Sequence, residues 1–298
     1  MRKRNTIILC CAAGLLACLL SLSGCGASAQ GSSGGASSPD ASISTDPGPD
    51  VSGSASLPED NSSSSGAASS SQPDGSEQEP DSALYDFSSP VPESDPVDNS
   101  YFQDAAFIGD SRTDGFLIYS GIGCGENLTS NGLSIFKLEE KKAFTIDGQS
   151  YTALEALGRK QYGKVYLSLG VNELGYYDDQ GFYEAYCRAI DAIRACQPNA
   201  VIYIQGLIPL NESVISATGG ASYLTNEHLL VYNDLMKQAA EEKQVAFLDL
   251  NPAFAGPDGQ LPEDASRDGV HLTKAYCEQW LDYLKTHTVD YDTLYPAG

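Results

Sequence analysis

Positive charge is scarce in this chain. Seventeen lysines and arginines stand against 40 aspartates and glutamates in 298 residues, a net charge of −23. A surface of that sign is poorly suited to nucleic acid or to an anionic membrane face. Histidine is scarcer still. His228, His271 and His287 are the whole supply, so a reaction that needs an imidazole base has three candidates. Eight cysteines are present, but none stands in a CxxC pair or at a zinc-site spacing from a histidine. Neither a metal nor an organic cofactor is implied. Beyond residue 22 there is no long apolar run. The run from Ile7 to Leu22 has the length of a signal h-region and is short for a spanning helix.

That run follows Arg2, Lys3 and Arg4 and ends in Leu22-Ser23-Gly24-Cys25. The last four residues resemble the lipobox of bacterial lipoproteins. The resemblance implies that residues 1–25 are a signal peptide, that Cys25 becomes a lipidated N-terminus, and that the mature chain is anchored to the membrane outside the cytoplasm. An uncleaved anchor is the alternative. Residues 26–100 hold no Lys or Arg and almost no aromatics; Ser, Gly, Ala, Pro and Asp dominate. Such a segment cannot bury enough apolar surface to offset its chain entropy. It is expected to be a disordered acidic tether with a reach of roughly 50 Å.

Residues 101–298 then form one domain, with 27 acids and 14 bases and enough chain for a sizeable core. Cys187 and Cys196 fall on one predicted helix about 13 Å apart along its axis and cannot pair with each other. For these two and for Cys124 and Cys277, free thiols or one long-range disulfide remain open. Strand and helix patterns alternate. Strands are expected at 105–109, 132–136, 164–169, 200–207 and 245–250, and helices at 151–158, 180–196, 225–243 and 274–286. Between 207 and 225 a Gly- and Ser-rich loop is expected. This alternation argues for a parallel sheet with helices on both faces, whose sites form beyond the carboxyl ends of the strands.

Three stretches open onto that edge. Ser111 follows the first strand, Gly170-Val171-Asn172-Glu173 the third, and Asp268-Gly269-Val270-His271 precedes the final helix. His228, inside a helix beside Glu227, and His287, near the chain end, read as solvated surface residues. His271 alone sits at a strand-to-helix junction with a carboxylate three residues before it. Asp268 in such a turn can reach Nδ1, leaving Nε2 to take a serine proton. Taken alone, the same four residues equally describe a capping aspartate beside a surface histidine.

Together the pieces resemble the SGNH hydrolases, also called the GDSL esterase/lipase family. Gly109-Asp110-Ser111 is similar to its nucleophile block, Asn131-Gly132 to its second block, Gly170-Val171-Asn172 to its third, and Asp268 to His271 to its final block. The likeness runs from about Phe107 to Leu284. It implies a three-layer α/β/α sandwich with a central parallel sheet, of the flavodoxin-like SGNH type. It implies Ser111 as nucleophile, His271 as base and Asp268 as its orienting acid. It places the Ser111 and Gly132 amides and the Asn172 side chain in an oxyanion hole, with Gly121, Gly123 and Gly125 as nearby alternatives to Gly132. No cofactor or metal enters.

Two residues depart from the family pattern. Arg112 follows the nucleophile, and Glu173 stands where an aspartate is common. Both are candidates for substrate contact, Arg112 as a cation at the pocket lip or else as a surface arginine paired with an acid. Tyr176, Tyr177 and the loop from Pro209 to Tyr223 either shape the pocket and stack on sugar rings, or are edge aromatics and a mobile loop. The expected function is a surface-tethered serine esterase. Its expected partner is a small or polymeric ester, an acetylated or otherwise short-acylated glycan of the cell wall or exterior. An O-acyltransferase using the same triad, or a non-catalytic wall-binding lipoprotein, is the alternative.

Overall fold

Ala105–Gly109 (β1) is buried at every position, as a parallel strand covered by helices on both faces must be. A computed structural model describes residues 85–297; the expected signal peptide, Cys25 and the tether as far as residue 84 lie outside them. From β1 the chain passes into Ser111–Tyr119 (α1) and Glu126–Thr129 (β2). A hairpin of Phe144–Ile146 (β3) and Gln149–Tyr151 (β4) follows, then Ala153–Leu157 (α2) and Lys164–Ser168 (β5). Asp179–Cys196 (α3), Val201–Gln205 (β6), Glu212–Ala217 (α4) and Asn226–Glu242 (α5) come next. Ala246–Leu248 (β7), Asn251–Phe254 (α6), Lys274–Thr286 (α7) and Tyr291–Leu294 (α8) complete the order.

The larger sheet runs β2-β1-β5-β6-β7, and each neighbouring pair is parallel. This is the expected three-layer arrangement. Successive strand residues point to opposite faces. Ala106, Ile108, Leu167, Ile202 and Ile204 belong to the core shared with α2, α3 and α5. Ala105, Phe107, Tyr166 and Tyr203 belong to the core shared with α1 and α7. On that second face the rings of Phe107, Tyr166 and Tyr203 stack across three strands, with centroids 4.9 and 4.6 Å apart. Trp280 of α7 packs on Phe116 of α1 at 4.7 Å, and its Nε1 donates to Gln205 Oε1 at 2.9 Å. Strand order reverses beside β1, with β2 on one side and β5 on the other, and such a reversal opens a crevice at the carboxyl ends of the strands.

Three expectations need correction. The second strand is Glu126–Thr129, not 132–136. Gly132 has φ +65°, Leu133 N bonds back to Ser130 O at 2.8 Å, and Ile135–Lys137 winds as a 3-10 turn. β2 is an edge strand with two exposed positions, so its polar sequence carries no buried-strand pattern. The segment from Pro209 to Tyr223 is not simply a loop. It contains α4, capped by Asn211, whose Oδ1 accepts from Val214 N at 2.9 Å.

The third correction is the boundary at residue 100. Val91 is buried, and its amide donates to Phe247 O at 2.8 Å along the outer edge of β7. Ser94 N and Val97 N donate to Thr286 O and Lys285 O at 2.6 and 3.0 Å, while Tyr85 and Phe87 pack on the same core. Residues 85–100 are therefore part of the folded body, a strap that covers a sheet edge otherwise left with unpaired backbone groups. Cys124, Cys187, Cys196 and Cys277 are all unpaired.

Candidate active site

Helix α1 begins hard against the end of β1, and two residues allow it. A Cβ on Gly109 would fall 2.1 Å from Thr113 Oγ1, so only glycine lets the first turn fold back so closely. Asp110 is the cap, its Oδ1 accepting from Arg112 N at 2.9 Å. Ser111 is thus relieved of capping. Its Oγ lies 2.8 Å from His271 Nε2.

The turn before α7 holds the imidazole from the other side. Asp268 Oδ2 lies 2.7 Å from His271 Nδ1, and Oδ1 accepts from Val270 N, His271 N and Ser266 Oγ at 2.9, 2.8 and 3.1 Å. A carboxylate only accepts, so the Nδ1 proton points at Asp268 and Nε2 is left to accept from the Ser111 hydroxyl. Asn211 N donates to Gly269 O at 2.9 Å, so the segment before α4 braces this turn. Partial burial works against charge on Asp268. Hydrogen bonds from the His271 amide and ring and from the Val270 amide outweigh it and hold the carboxyl well below the usual range.

Asn172, Asp110 and Glu173 form a strut beneath the nucleophile. Asn172 Nδ2 donates to Asp110 Oδ2 at 3.1 Å and to Leu133 O at 3.0 Å. Both amide hydrogens are engaged, so Asn172 can face an oxyanion only by giving up one of these acceptors. The Ser111 and Gly132 amides have no backbone acceptor among the described residues. Burial pushes the Asp110 carboxyl up despite the Arg112 amide and guanidinium beside it.

Glu173 is fully buried. One of its oxygens accepts from Ile135 N, its backbone carbonyl accepts from Tyr232 Oη at 3.1 Å, and the second carboxyl oxygen has no partner. Burial raises its pKa to about 7, helped by Asp110.

Glu173 is therefore a link between the third and second blocks, not the substrate contact that was expected. Arg112 is also corrected. It is buried, with Nη1 donating to Ile208 O at 2.9 Å and Nη2 to Pro209 O at 3.5 Å. Burial lowers its pKa to about 10. It is not a surface ion pair: the residue borders the Ser111 groove, but its guanidinium is bonded inward to backbone carbonyls.

Tyr176 and Tyr177 are exposed but do not line the groove over Ser111. Tyr176 lies against Phe136 at 5.4 Å, and Tyr177, at φ +52°, stacks on His228 at 4.9 Å. His228 is not solvated: Nδ1 lies 2.9 Å from Leu174 O and Nε2 2.9 Å from Asp179 Oδ1. His287 likewise stacks on Tyr283 at 3.7 Å.

The groove that exposes Ser111 has a volume of about 280 Å³ and includes Asp114, Gly115, Ile118, Tyr119, Asn131 and Leu272. Of these, Asn131 belongs to the second block noted in the sequence, while Gly115, Ile118, Tyr119 and Leu272 were not expected there. The signal was there, because positions 115, 118 and 119 lie four, seven and eight residues after Ser111 and so share its helix face. Ile118 and Tyr119 are 60% and 51% exposed, which makes an apolar lip. Among the described residues no three His, Cys, Asp or Glu side chains are grouped to hold a metal.

The profile of the GDSL-like Lipase/Acylhydrolase family matches residues 107–276. No curated protein matches the chain in sequence. Among solved structures, one described as a platelet activating factor from Streptococcus pneumoniae is 22% identical. The match covers 67% of this chain and 85% of that one, with a TM-score of 0.51. A GDSL-like lipase from Bacteroides thetaiotaomicron is 12% identical over 62% of this chain and 87% of that one, with a TM-score of 0.44. An acetyl xylan esterase is 16% identical over 60% and 96%, with a TM-score of 0.43.

Proposed function

The chain belongs to the GDSL-like Lipase/Acylhydrolase family, and from that premise we propose that it is a surface-tethered serine esterase that removes short acyl groups from carbohydrate outside the cytoplasm. The observation that carries the catalytic part is the hydrogen-bonded series Asp268–His271–Ser111, with links of 2.7 and 2.8 Å. Ser111 Oγ attacks the ester carbonyl carbon as its proton passes to His271 Nε2. Asp268, held as a carboxylate, stabilises the imidazolium. The carbonyl oxygen takes the displaced electron pair and faces the Ser111 and Gly132 amides, each such donor being worth about a hundredfold to a thousandfold in turnover. Asn172 joins them by releasing Leu133 O or Asp110. Collapse expels the alcohol, which takes the proton from His271. Water then gives a proton to His271 and attacks the acyl-serine, and the acid leaves as the proton returns to Ser111.

The short acyl group is supported by the groove of about 280 Å³ beside Ser111, which mixes Ile118, Tyr119 and Leu272 with Asp114 and Asn131. A lipase would need a larger continuous apolar surface. Tethering through Cys25 and residues 26–84 rests on the lipobox likeness and on composition. A fluorophosphonate probe should label Ser111 and no other serine. Acetate should be released from an acetylated glycan by the wild-type protein and not by Ser111→Ala. Labelling elsewhere, or acetate release by Ser111→Ala, overturns the reading.

A further inference from the structure

Next to the Ser111 groove lies a second cavity, of about 400 Å³, bounded by Tyr119, Arg267, Asp268, His271, Leu272, Thr273 and Lys274. The two hollows share Tyr119, His271 and Leu272, so a molecule whose ester sits on Ser111 can extend into the second without leaving the surface. Its charge is unlike that of the rest of the protein. The chain carries 40 acids against 17 bases, yet this cavity presents two bases.

The one acid in its wall, Asp268, is half exposed and its oxygens are engaged by His271, Val270 and Ser266, so Arg267 and Lys274 outnumber it. Arg267 is exposed and has no carboxylate within ion-pair distance among the described residues. Lys274 lies 3.4 Å from Glu278 on the exposed face of α7, a pairing that costs little to exchange. Asp264, in the loop before the cavity, is engaged by Tyr276 Oη at 3.0 Å. An unpaired guanidinium with its fork of donors suits a carboxylate or a phosphate.

We propose that this cavity binds an anionic group, a carboxylate or phosphate, carried by the ester substrate, so that the preferred substrates are acylated sugars bearing negative charge. This deepens the esterase reading and rests on it for the position of the ester, while the anion site itself can be measured without turnover. Tyr119, half-exposed between the two hollows, offers a ring face to the sugar that spans them.

The test uses the full-length chain with Ser111→Ala, which cannot consume its ligand, and calorimetry with three O-acetylated methyl glycosides: the glucoside, the glucuronoside and the glucoside 6-phosphate. The charged pair should bind about tenfold more tightly than the neutral sugar at low salt, the worth of one charge-assisted hydrogen bond in an open site. That advantage should shrink as salt is raised. Arg267→Gln and Lys274→Gln, both exposed changes, should each reduce the charged-to-neutral ratio. Lys237→Gln, a cation on α5 away from the cavity, should not. Which charged sugar binds better identifies carboxylate or phosphate as the group recognised. Equal binding of all three, no measurable binding of any, or a ratio unmoved by Arg267→Gln and Lys274→Gln together overturns the proposal. Acetate release by the wild-type chain is scored separately: charge-selective binding without turnover would defeat the esterase reading and leave the anion site standing.

Discussion

Two carboxyls beside the nucleophile are driven in opposite directions by what surrounds them. Asp268 keeps its charge because three hydrogen bonds from Val270 and His271 outweigh its partial burial; it therefore orients the imidazole and never needs to move a proton. Ser111→Ala and His271→Ala should lower kcat by about a millionfold and Asp268→Asn by about ten-thousandfold, with circular dichroism unchanged in all three. Equal losses in the three would deny Asp268 its orienting role. Glu173 behaves in the opposite sense. Burial lifts its pKa from the ordinary 4.5 to about 7. Between those values the native state binds a proton that the unfolded chain does not, so stability falls as pH rises through that interval. The full loss is about 3 kcal/mol. Glu173→Gln keeps an acceptor for Ile135 N without the charge and should flatten the slope. The melting temperature of the wild type should therefore drop relative to the variant between about pH 5 and about pH 8. A difference that stays constant across that range would show that Glu173 is not the titrating group.

Among the elements, those legible in the sequence are the ones whose local pattern agrees with their packing. β1, β5 and β6 are short apolar runs buried on both faces, and α3, α5 and α7 repeat their apolar residues at helical spacing. Ser111 and Asn172 stand at the carboxyl ends of β1 and β5 because a parallel sheet leaves the residues that follow its strands nowhere else to go. β2 was missed because its stability comes from pairing with β1, not from its own residues Glu126-Asn127-Leu128-Thr129. The β3–β4 hairpin has its signal in Asp147-Gly148, a turn pair with positive φ at both residues, but its three-residue strands are too short to carry an alternating pattern. Arg112 and Glu173 run against the rule that charge suggests surface: both are buried, with backbone carbonyls taking the Arg112 Nη atoms and the Ile135 amide one Glu173 oxygen. The strap of residues 85–100 was hidden by the low-complexity sequence before it. A chain starting at residue 101 loses the burial of Val91, worth about 1.5–3 kcal/mol, together with the edge contacts of β7. It should melt several degrees lower than one starting at residue 80; equal melting would remove the strap from the fold. On α1, the open space at Gly115 faces the groove. Gly115→Leu should reduce kcat/KM for butyryl esters more than for acetyl esters, and a uniform loss would place the acyl group elsewhere.

For the whole chain, the question is how far the fold and the site in residues 85–297 depend on the residues before them. Residues 26–84 contain no aromatic residue, few large aliphatic ones and no lysine or arginine, so they bring little apolar surface and no cations to an acidic domain. The two hollows around His271 are lined by residues from 111 onwards, and the strap bonds to Phe247 of β7 and to Lys285 and Thr286 of α7. Removing residues 26–84 while keeping Cys25 should therefore leave the melting temperature and the turnover of a soluble acetyl ester unchanged. What the deletion alters is distance. If residues 26–84 are the proposed tether, a Gly/Ser-type chain of that length would reach about 45 Å, and its deletion would hold the site close to the proposed anchor. Acetate release from glycan held in the wall of intact cells should fall, while release from the same glycan in solution does not. A fall in both would mean that the segment supports the fold or the site directly. A fall in neither would mean that the esterase does not work from a tether at all.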